Sequence, residues 1–114
     1  MSDCLFCGIV DGKIKANLVY QDDAVMAFKD IAPKAPVHIL IIPRKHVANV
    51  SDITAADRAL IGEIFLIAAK LACEQGIAES GYRVVVNSGA DAGQSVFHLH
   101  YHLMGGRQMT WPPG

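Results

Sequence analysis

Three of the five histidines in this 114-residue chain occupy alternate positions, at His98, His100 and His102. Side chains two residues apart point to the same face of a β-strand, whereas a helix would turn the middle one away. The spacing therefore predicts a strand with a row of imidazoles on one face. The intervening apolar side chains are expected to pack into a core from the opposite face: Phe97, Leu99, Tyr101 and Leu103. A row of imidazoles suits either a metal site or a site that handles an anion.

A single metal ion held by all three histidines is disfavoured, because the row spans about 13 Å at ~3.3 Å per residue. Nucleophilic chemistry at phosphorus fits better, since a neutral imidazole attacks well near pH 7 when an acceptor holds its other nitrogen as N–H. The upstream loop, 88–95, supports an anion site, because it is rich in glycine and ends in the neutral donors Gln94 and Ser95. The alternative is a plain turn followed by histidines that fill polar core positions. It explains one histidine better than three.

The rest of the chain predicts one α+β domain over residues 1–114. A short helix is expected over 4–11, and Thr54 with Asp57 forms a candidate capping box for one long helix within 51–76. Alternating or continuous apolar runs predict the strands, at 18–21, 25–28, 37–42 and 82–87, followed by the histidine strand. This order favours an antiparallel sheet with a helix packed across it.

Bulk composition excludes several classes of protein. The net charge is −1 and basic residues are not clustered, which argues against a surface that binds the nucleic-acid backbone or an anionic membrane. No apolar run approaches the ~20 residues of a membrane span, and the N-terminus lacks a signal pattern. The odd number of cysteines, three, argues against a secreted disulfide framework. A cytoplasmic location is therefore expected.

Residues 98–104 resemble the His-φ-His-φ-His-φ-φ pattern of the histidine triad (HIT) family, where φ is apolar. The similarity continues through 93–97 and 105–109, and both 30–38 and the Trp-Pro-Pro-Gly tail at 111–114 resemble the nucleotide-binding (Hint) branch. The resemblance implies a HIT-like fold: a five-stranded antiparallel sheet with one long and one short helix. It also implies a homodimer in which two sheets join into a ten-stranded sheet.

The same resemblance implies an enzyme that hydrolyses purine nucleoside phosphoramidates or acyl-nucleotidates. A nucleotidyl-histidine intermediate would form and release a nucleoside monophosphate. Two alternatives remain open. One is a nucleotide-binding regulatory or interaction protein whose hydrolysis is incidental. The other is a dinucleoside polyphosphate hydrolase, or a nucleotidyl transferase, of the same superfamily.

By resemblance, His100 attacks phosphorus while His38, His98 and His102 orient groups or relay protons. Ser95 and Gln94 contact the phosphate or leaving group. Asn87 lies near the ribose-phosphate, and Asp30 accepts from the ribose hydroxyls, as an acceptor-only carboxylate can. The base pocket is expected to be lined by Phe28, Ile31, Leu5, Phe6 and Ile9, although each could simply be a core residue. Trp111 either caps a loose tail or reaches the partner's active site.

Cys4 and Cys7 form a Cys-x-x-Cys pair. Some members of the family combine such a pair with a later histidine, here His46, and with the first triad histidine, His98. Two thiolates and two imidazoles suit a structural zinc ion. The alternatives are two small packing residues one helical turn apart or a redox pair. A second departure is Ile14-Lys15-Ala16, where the family usually has a proline. It lies in a loop expected near the base pocket and concerns base preference.

Overall fold

The computed structural model describes residues 4–114, in which five antiparallel strands form one sheet in the order β1-β2-β3-β5-β4. The elements are α1 (Leu5–Val10), β1 (Leu18–Gln21), β2 (Val25–Lys29), β3 (Val37–Pro43), α2 (Arg58–Glu74), β4 (Tyr82–Val86) and β5 (Tyr101–Gly105). The predicted α+β class, with five antiparallel strands, one long helix and one short helix, is confirmed. Within residues 4–114 no helix combines the length and apolarity needed to cross a membrane.

The central strand β3 separates two apolar layers. Ile39 and Ile41 belong to a core shared with α2, while Leu40 and Ile42 belong to a second core shared with α1. Alternation along a strand sends successive side chains to opposite faces, so the two helices cover opposite faces of the sheet. Leu99, Tyr101 and Leu103 lie on the α2 side, as the sequence predicts.

The long helix begins later than its sequence signals indicate. The Thr54–Asp57 capping box forms, with the Thr54 N–H donating to Asp57 Oδ2 at 3.0 Å, but it caps a short 3₁₀ turn at Ala55–Asp57. The α-helix proper starts at Arg58 and runs to Glu74. Gly76 then adopts a positive φ of 75°, a conformation that glycine reaches without steric cost.

The histidine segment differs from the prediction in one respect: regular strand begins at Tyr101, so His98 and His100 precede it. The Leu99 N–H donates to the Val47 carbonyl at 2.6 Å, which ties this part of the chain to the segment after β3 instead of to a strand ladder. The expectation that Phe97 packs in the core is wrong, because its side chain is 49% exposed. The period-two pattern alone could not reveal where strand pairing stops.

Candidate active site

A cleft of about 340 Å³ opens on the α1 side of the sheet, where the histidine segment meets β2 and β3. Its lining joins apolar side chains to a polar end: Leu5, Phe6, Ile9, Ile14, Lys15, Ala16, Phe28, Lys29, Asp30, Ile31, Leu40, Ser95, Val96, His100 and His102. The structure thus gathers most of the residues that the sequence selects for catalysis and base binding. A larger cavity, about 520 Å³, lies beside β4 and has no histidine or cysteine in its lining.

The apolar end of the cleft has a buried floor and an exposed rim. Phe6 packs edge-to-face on Phe28, with ring centroids 5.4 Å apart, and its ring also lies 5.1 Å from the ring of His100. Leu5 and Ile31 lie at the rim, and Ile31 is fully exposed. Apolar walls around a narrow space suit a flat aromatic ligand.

The loop at 12–16 forms one side of this slot and is fixed to α1. The Lys13 and Ile14 N–H groups both donate to the Gly8 carbonyl, at 2.9 and 3.1 Å. A Cβ at Gly8 would lie 2.6 Å from Ile14 Cδ1, so a larger residue here would displace the Ile14 side chain from its present position. The departure Ile14-Lys15-Ala16 therefore lines the cleft, as expected from its place near the base pocket. The sequence did not indicate Lys29, Leu40 and Val96 as lining residues.

His100 is held in the form that a nucleophile needs. Its Nδ1 lies 2.7 Å from the His98 carbonyl oxygen, which can only accept, so Nδ1 carries the proton. Nε2 consequently keeps its lone pair, and the ring borders the cleft. The side chain is buried, which keeps water from competing for that lone pair.

A chain of hydrogen bonds fixes the tautomers of two further histidines. The Lys34 N–H donates to His38 Nδ1 at 2.9 Å, so His38 carries its proton on Nε2. That Nε2–H lies 2.9 Å from His102 Nδ1 and donates to it. His102 is thereby left with its proton on Nε2, and its ring borders the cleft beside His100, at a centroid distance of 5.0 Å.

Burial keeps these imidazoles uncharged. It lowers the pKa of His102 to about 4, an effect strengthened by the neighbouring His100 and His38. Burial also lowers the pKa of His38, against the opposing charge of Asp30, and burial lowers the pKa of His98. At neutral pH the histidines beside His100 are therefore hydrogen-bond donors and acceptors, not cations.

Lys34→Pro removes the backbone N–H that donates to His38, and we expect it to lower kcat/KM for a reaction at His100 by about tenfold. That is less than the roughly 10²-fold of a complete general acid–base contribution, because the His38 and His102 side chains remain. In the wild type, the Lys34 N–H donates to the Nδ1 lone pair and so stabilises the neutral form of His38. Without that hydrogen bond the pKa of His38 rises, and the acid limb of the pH–rate profile moves to higher pH. Lys34→Ala keeps the N–H and serves as the matched control. An equal loss in Lys34→Ala would assign the effect to the lysine side chain.

The lowered pKa of His102 also predicts how stability depends on pH. An unfolded histidine titrates near pH ~6.5, so between that value and about 4 the unfolded chain binds more protons. The stabilisation that buried, neutral His102 contributes is fully present above the pKa of the unfolded chain. It is lost as the pH falls from there through the pKa of the folded protein. Urea unfolding at pH 7, 5.5 and 4 measures the loss. His102→Gln should decline less steeply than the wild type over this range, and parallel curves would contradict the assignment.

Asp30 closes the polar side of the cleft. Its Oδ1 accepts from the Ala32 N–H at 2.8 Å, and its Oδ2 lies 3.4 Å from His38 Nε2. Asp30, His38 and His102 have the grouping of a metal site. However, the proton on His38 Nε2 occupies the position that a metal would need. A carboxylate at the cleft edge is therefore better suited to accepting hydroxyl donors.

Three residues proposed for nucleotide binding do not line the cleft. Gln94 is buried and fastens the loop: its Oε1 accepts from the Gly89 N–H, and its Nε2 donates to the carbonyls of Ala48 and Val96. Asn87 follows β4, outside the lining. Trp111 lies in the tail and is 82% exposed. Their substrate contacts stay predictions.

Four further side chains converge on one point beside the cleft. The Sγ atoms of Cys4 and Cys7 and the Nδ1 atoms of His46 and His98 all lie within 4.8 Å of one another. His98 Nδ1 is 3.4 and 3.6 Å from the two sulfurs, and His46 Nδ1 is 3.3 Å from Cys7 Sγ and 3.2 Å from His98 Nδ1. A tetrahedral zinc ion separates such ligands by about 3.3–3.8 Å.

The protonation of His98 also fits a metal ligand. Its Nε2 donates to the Pro43 carbonyl at 2.8 Å, so its Nδ1 lone pair faces the cluster. A ligating histidine whose second nitrogen donates to a carbonyl is the usual arrangement in metal sites. The four residues that the sequence selects therefore fit zinc in donor type, spacing and tautomer. His98 lies in this cluster, while its backbone carbonyl orients His100.

The protein is therefore a small α+β domain. Its five-stranded antiparallel sheet carries a cluster of histidines at a cleft. The HIT domain family matches residues 11–109, and the chain belongs to this family. An uncharacterised HIT-like protein of Synechococcus elongatus is 48% identical over 112 residues, covering 98% of this chain and 97% of its own. The predicted HIT fold is confirmed.

Solved structures support the same assignment. A HIT family hydrolase from Legionella pneumophila superposes with a TM-score of 0.97 at 51% identity and covers 98% of this chain and all of its own. A histidine triad nucleotide-binding protein from Candida albicans gives 0.83 at 31%, covering 96% and 83%. A zinc-bound histidine triad family protein from Mycobacterium smegmatis gives 0.80 at 30%, covering 94% and 77%.

Proposed function

We propose that this HIT-family protein hydrolyses purine nucleoside phosphoramidates or acyl-nucleotidates and releases a nucleoside monophosphate, acting as one domain over residues 1–114. The observation that carries the proposal is the His100 ring, whose Nδ1–H is bound to a carbonyl so that Nε2 is free beside an apolar slot. The naming of the Legionella relative as a hydrolase and of the Candida relative as nucleotide-binding supports it.

In the proposed complex the purine lies on the apolar floor that Phe6 and Phe28 form together, and Asp30 accepts from the ribose hydroxyls. The phosphorus then lies at the polar end of the cleft, beside His100. Attack by Nε2 forms a phosphorus–nitrogen bond to His100 and breaks the bond to the leaving group. The Nδ1–H···O=C contact with His98 stabilises the positive charge that develops on the ring.

The leaving nitrogen or oxygen needs a proton as its bond to phosphorus breaks. That proton comes from solvent, because neutral His102 would become an anion if it gave up its Nε2–H. The Ser95 hydroxyl and the Nε2–H of His102, which lie at the cleft near His100, stabilise the leaving atom by hydrogen bonds. Water then attacks the nucleotidyl-histidine: its oxygen bonds to phosphorus, the phosphorus–nitrogen bond to His100 breaks, and one water proton returns to solvent. This releases the monophosphate and restores neutral His100. His38 acts through His102 as a positioning residue.

The test is direct: purified protein is incubated with adenosine and guanosine phosphoramidates, and chromatography follows the monophosphates released. Samples quenched in alkaline denaturant, in which the phosphorus–nitrogen bond survives, should show one nucleotidyl group on His100 by mass spectrometry. Saturable nucleotide binding without turnover would favour the regulatory alternative. Faster cleavage of a dinucleoside polyphosphate than of either phosphoramidate would favour the alternative of a dinucleoside polyphosphate hydrolase.

The Cys4, Cys7, His46 and His98 cluster is the proposed site of a structural zinc ion. All four ligand positions come from the protein, as in structural zinc sites, so the ion would take no part in the chemistry. It would fasten α1, and with it the apolar wall of the cleft, to the segment that carries His100. The zinc-bound Mycobacterium relative supports this proposal.

A homodimer joined at β4 is proposed for the same protein. β4 is an edge strand with backbone groups available for pairing, and the neighbouring face of α2 exposes Phe65 and Leu66. Phe65 lies near this edge, since its ring is 5.5 Å from Tyr101, the register partner of Val86 on β4. At the opposite edge, Lys70 covers the Tyr20 ring of β1, with its Nζ 5.1 Å from the centroid.

Placing two carboxylates on the exposed part of α2 should separate the protomers. We expect the Phe65→Glu, Leu66→Glu double variant to sediment with the mass of one chain at micromolar concentration, while the wild type sediments as two, because charges buried without partners oppose association. Lys70→Ala, on the same helix, is the control and should remain a dimer. A monomeric wild type would contradict the proposal.

A further inference from the structure

A second groove adjoins the cleft on the side of Ser95 and Val96. Its volume is about 480 Å³, and it shares three lining residues with the cleft: Leu5, Ser95 and Val96. Beyond that shared ridge it is lined by Cys4, His46, Ala48 and Phe97. A molecule whose phosphorus lies at His100 would therefore extend any substituent that passes Ser95 into this groove.

The lining that residues 4–114 give this groove is largely apolar. Within that part of the chain its lining residues include no lysine, arginine, aspartate or glutamate, and one hydroxyl, that of Ser95. The Sγ of Cys4 and the Nδ1 of His46 are turned toward the metal cluster. A charged amine or a carboxylate entering here would lose hydration without gaining a partner, whereas an apolar body would lose unfavourable contact with water.

Phe97 is the residue that gives this groove its wall. Strand alternation places it in the core, yet its ring is 49% exposed and borders the groove. The chain from 94 to 100 lies outside the ladder because Gln94 and the Leu99 N–H are bonded to the segment at 47–48. Phe97 is thus an exposed aromatic side chain three residues from His100, on a segment held in place by hydrogen bonds. Its ring offers an apolar surface for contact with a ligand.

The geometry points to a leaving-group subsite at Phe97 that selects phosphoramidates and acyl-nucleotidates whose leaving group has an apolar, uncharged body. The inference rests on the proposed function and names its substrate class. The nucleotide occupies the cleft, the phosphorus–nitrogen or phosphorus–oxygen bond lies at Ser95, and the departing amine or acid lies against Phe97 and Val96. Phe97 is a specificity-determining residue and takes no part in bond breaking.

The experiment compares two guanosine phosphoramidates made from amines of similar basicity, 2-phenylethylamine and ethanolamine. Calorimetry measures their Kd values in His100→Ala, which binds without cleaving. We expect the phenylethyl compound to bind about tenfold more tightly, the scale of a partly buried apolar group. With Phe97→Ala added, the two Kd values should become equal within about twofold, whereas Phe97→Leu should keep most of the difference.

Leu18→Ala, which removes a similarly exposed apolar side chain from β1, is the control and should leave the ratio of Kd values unchanged. Equal Kd values in the parent, or the same ratio in the parent and in Phe97→Ala, would overturn the subsite. Turnover by the wild type tests the proposed function separately. Tighter binding of the phenylethyl compound without turnover supports the subsite and refutes the hydrolase. Turnover with equal Kd values supports the hydrolase and refutes the subsite.

Discussion

His100→Ala should abolish hydrolysis of nucleoside phosphoramidates, with kcat falling by at least about 10³-fold, while nucleoside monophosphates still bind. The loss is large because the variant has no group that can form the covalent intermediate, and the remaining groups only assist its formation and its hydrolysis. Binding survives because Phe6 keeps its contact with Phe28, and Asp30 keeps its hydrogen bond from the Ala32 N–H, when the His100 ring is removed. Steady-state kinetics on guanosine phosphoramidate and calorimetry with guanosine monophosphate measure the two quantities.

The control for this experiment is the intermediate itself. Wild-type protein quenched in alkaline denaturant should carry the added mass of one nucleotidyl group, and His100→Ala should carry none. Near wild-type turnover in His100→Ala would remove His100 from the mechanism. A variant that lost nucleotide binding as well as turnover would point to a structural role for His100 in the slot.

Loss of the metal cluster should have the largest effect on stability. Cys4→Ser with Cys7→Ser removes two of the four proposed ligands, and we expect the zinc content to fall from about one ion per chain to nearly none. A ligand present at 10³ times its Kd stabilises the folded state by about 4 kcal/mol. For a domain of this size that corresponds to a fall in Tm of about 15 °C or more.

Cys73→Ser is the matched control, because Cys73 is exposed on α2 and lies outside the cluster. It should leave both zinc content and Tm unchanged. Elemental analysis of protein produced with zinc in the medium, together with thermal unfolding by circular dichroism, gives both values. Wild-type protein that contains no zinc under these conditions, or a double variant that unfolds at the wild-type temperature, would contradict the assignment.

The elements of the fold were largely readable from the sequence because each has a local signal. The alternating or continuous apolar runs gave four strands close to their observed bounds, and the helical spacing of apolar residues located α2. The histidine strand was placed too early, since Tyr101 and not His98 begins β5. A period of two shows which side chains share a face, but it does not show where a neighbouring strand supplies hydrogen bonds.

The candidate site was less completely predictable. The residue types and spacing selected the histidines, and the resemblance to the HIT family selected Asp30, Phe28 and the cysteines. Only the folded chain shows that the Gln94 side chain donates hydrogen bonds to backbone carbonyls and that Phe97 is exposed to solvent. These outcomes depend on contacts between segments about 50 residues apart, which local patterns do not encode.

By itself the sequence determined the chemistry on offer: imidazoles at alternate positions, two thiols at a metal-binding spacing, and enough apolar residues for a core. The tertiary structure decided what each imidazole does. The His98 carbonyl and the Lys34 N–H assign the proton of His100 to Nδ1 and that of His38 to Nε2, and the Pro43 carbonyl directs His98 toward the cysteines. A ring with two equivalent-looking nitrogens acquires a role only when a neighbour brought close by folding takes one of them.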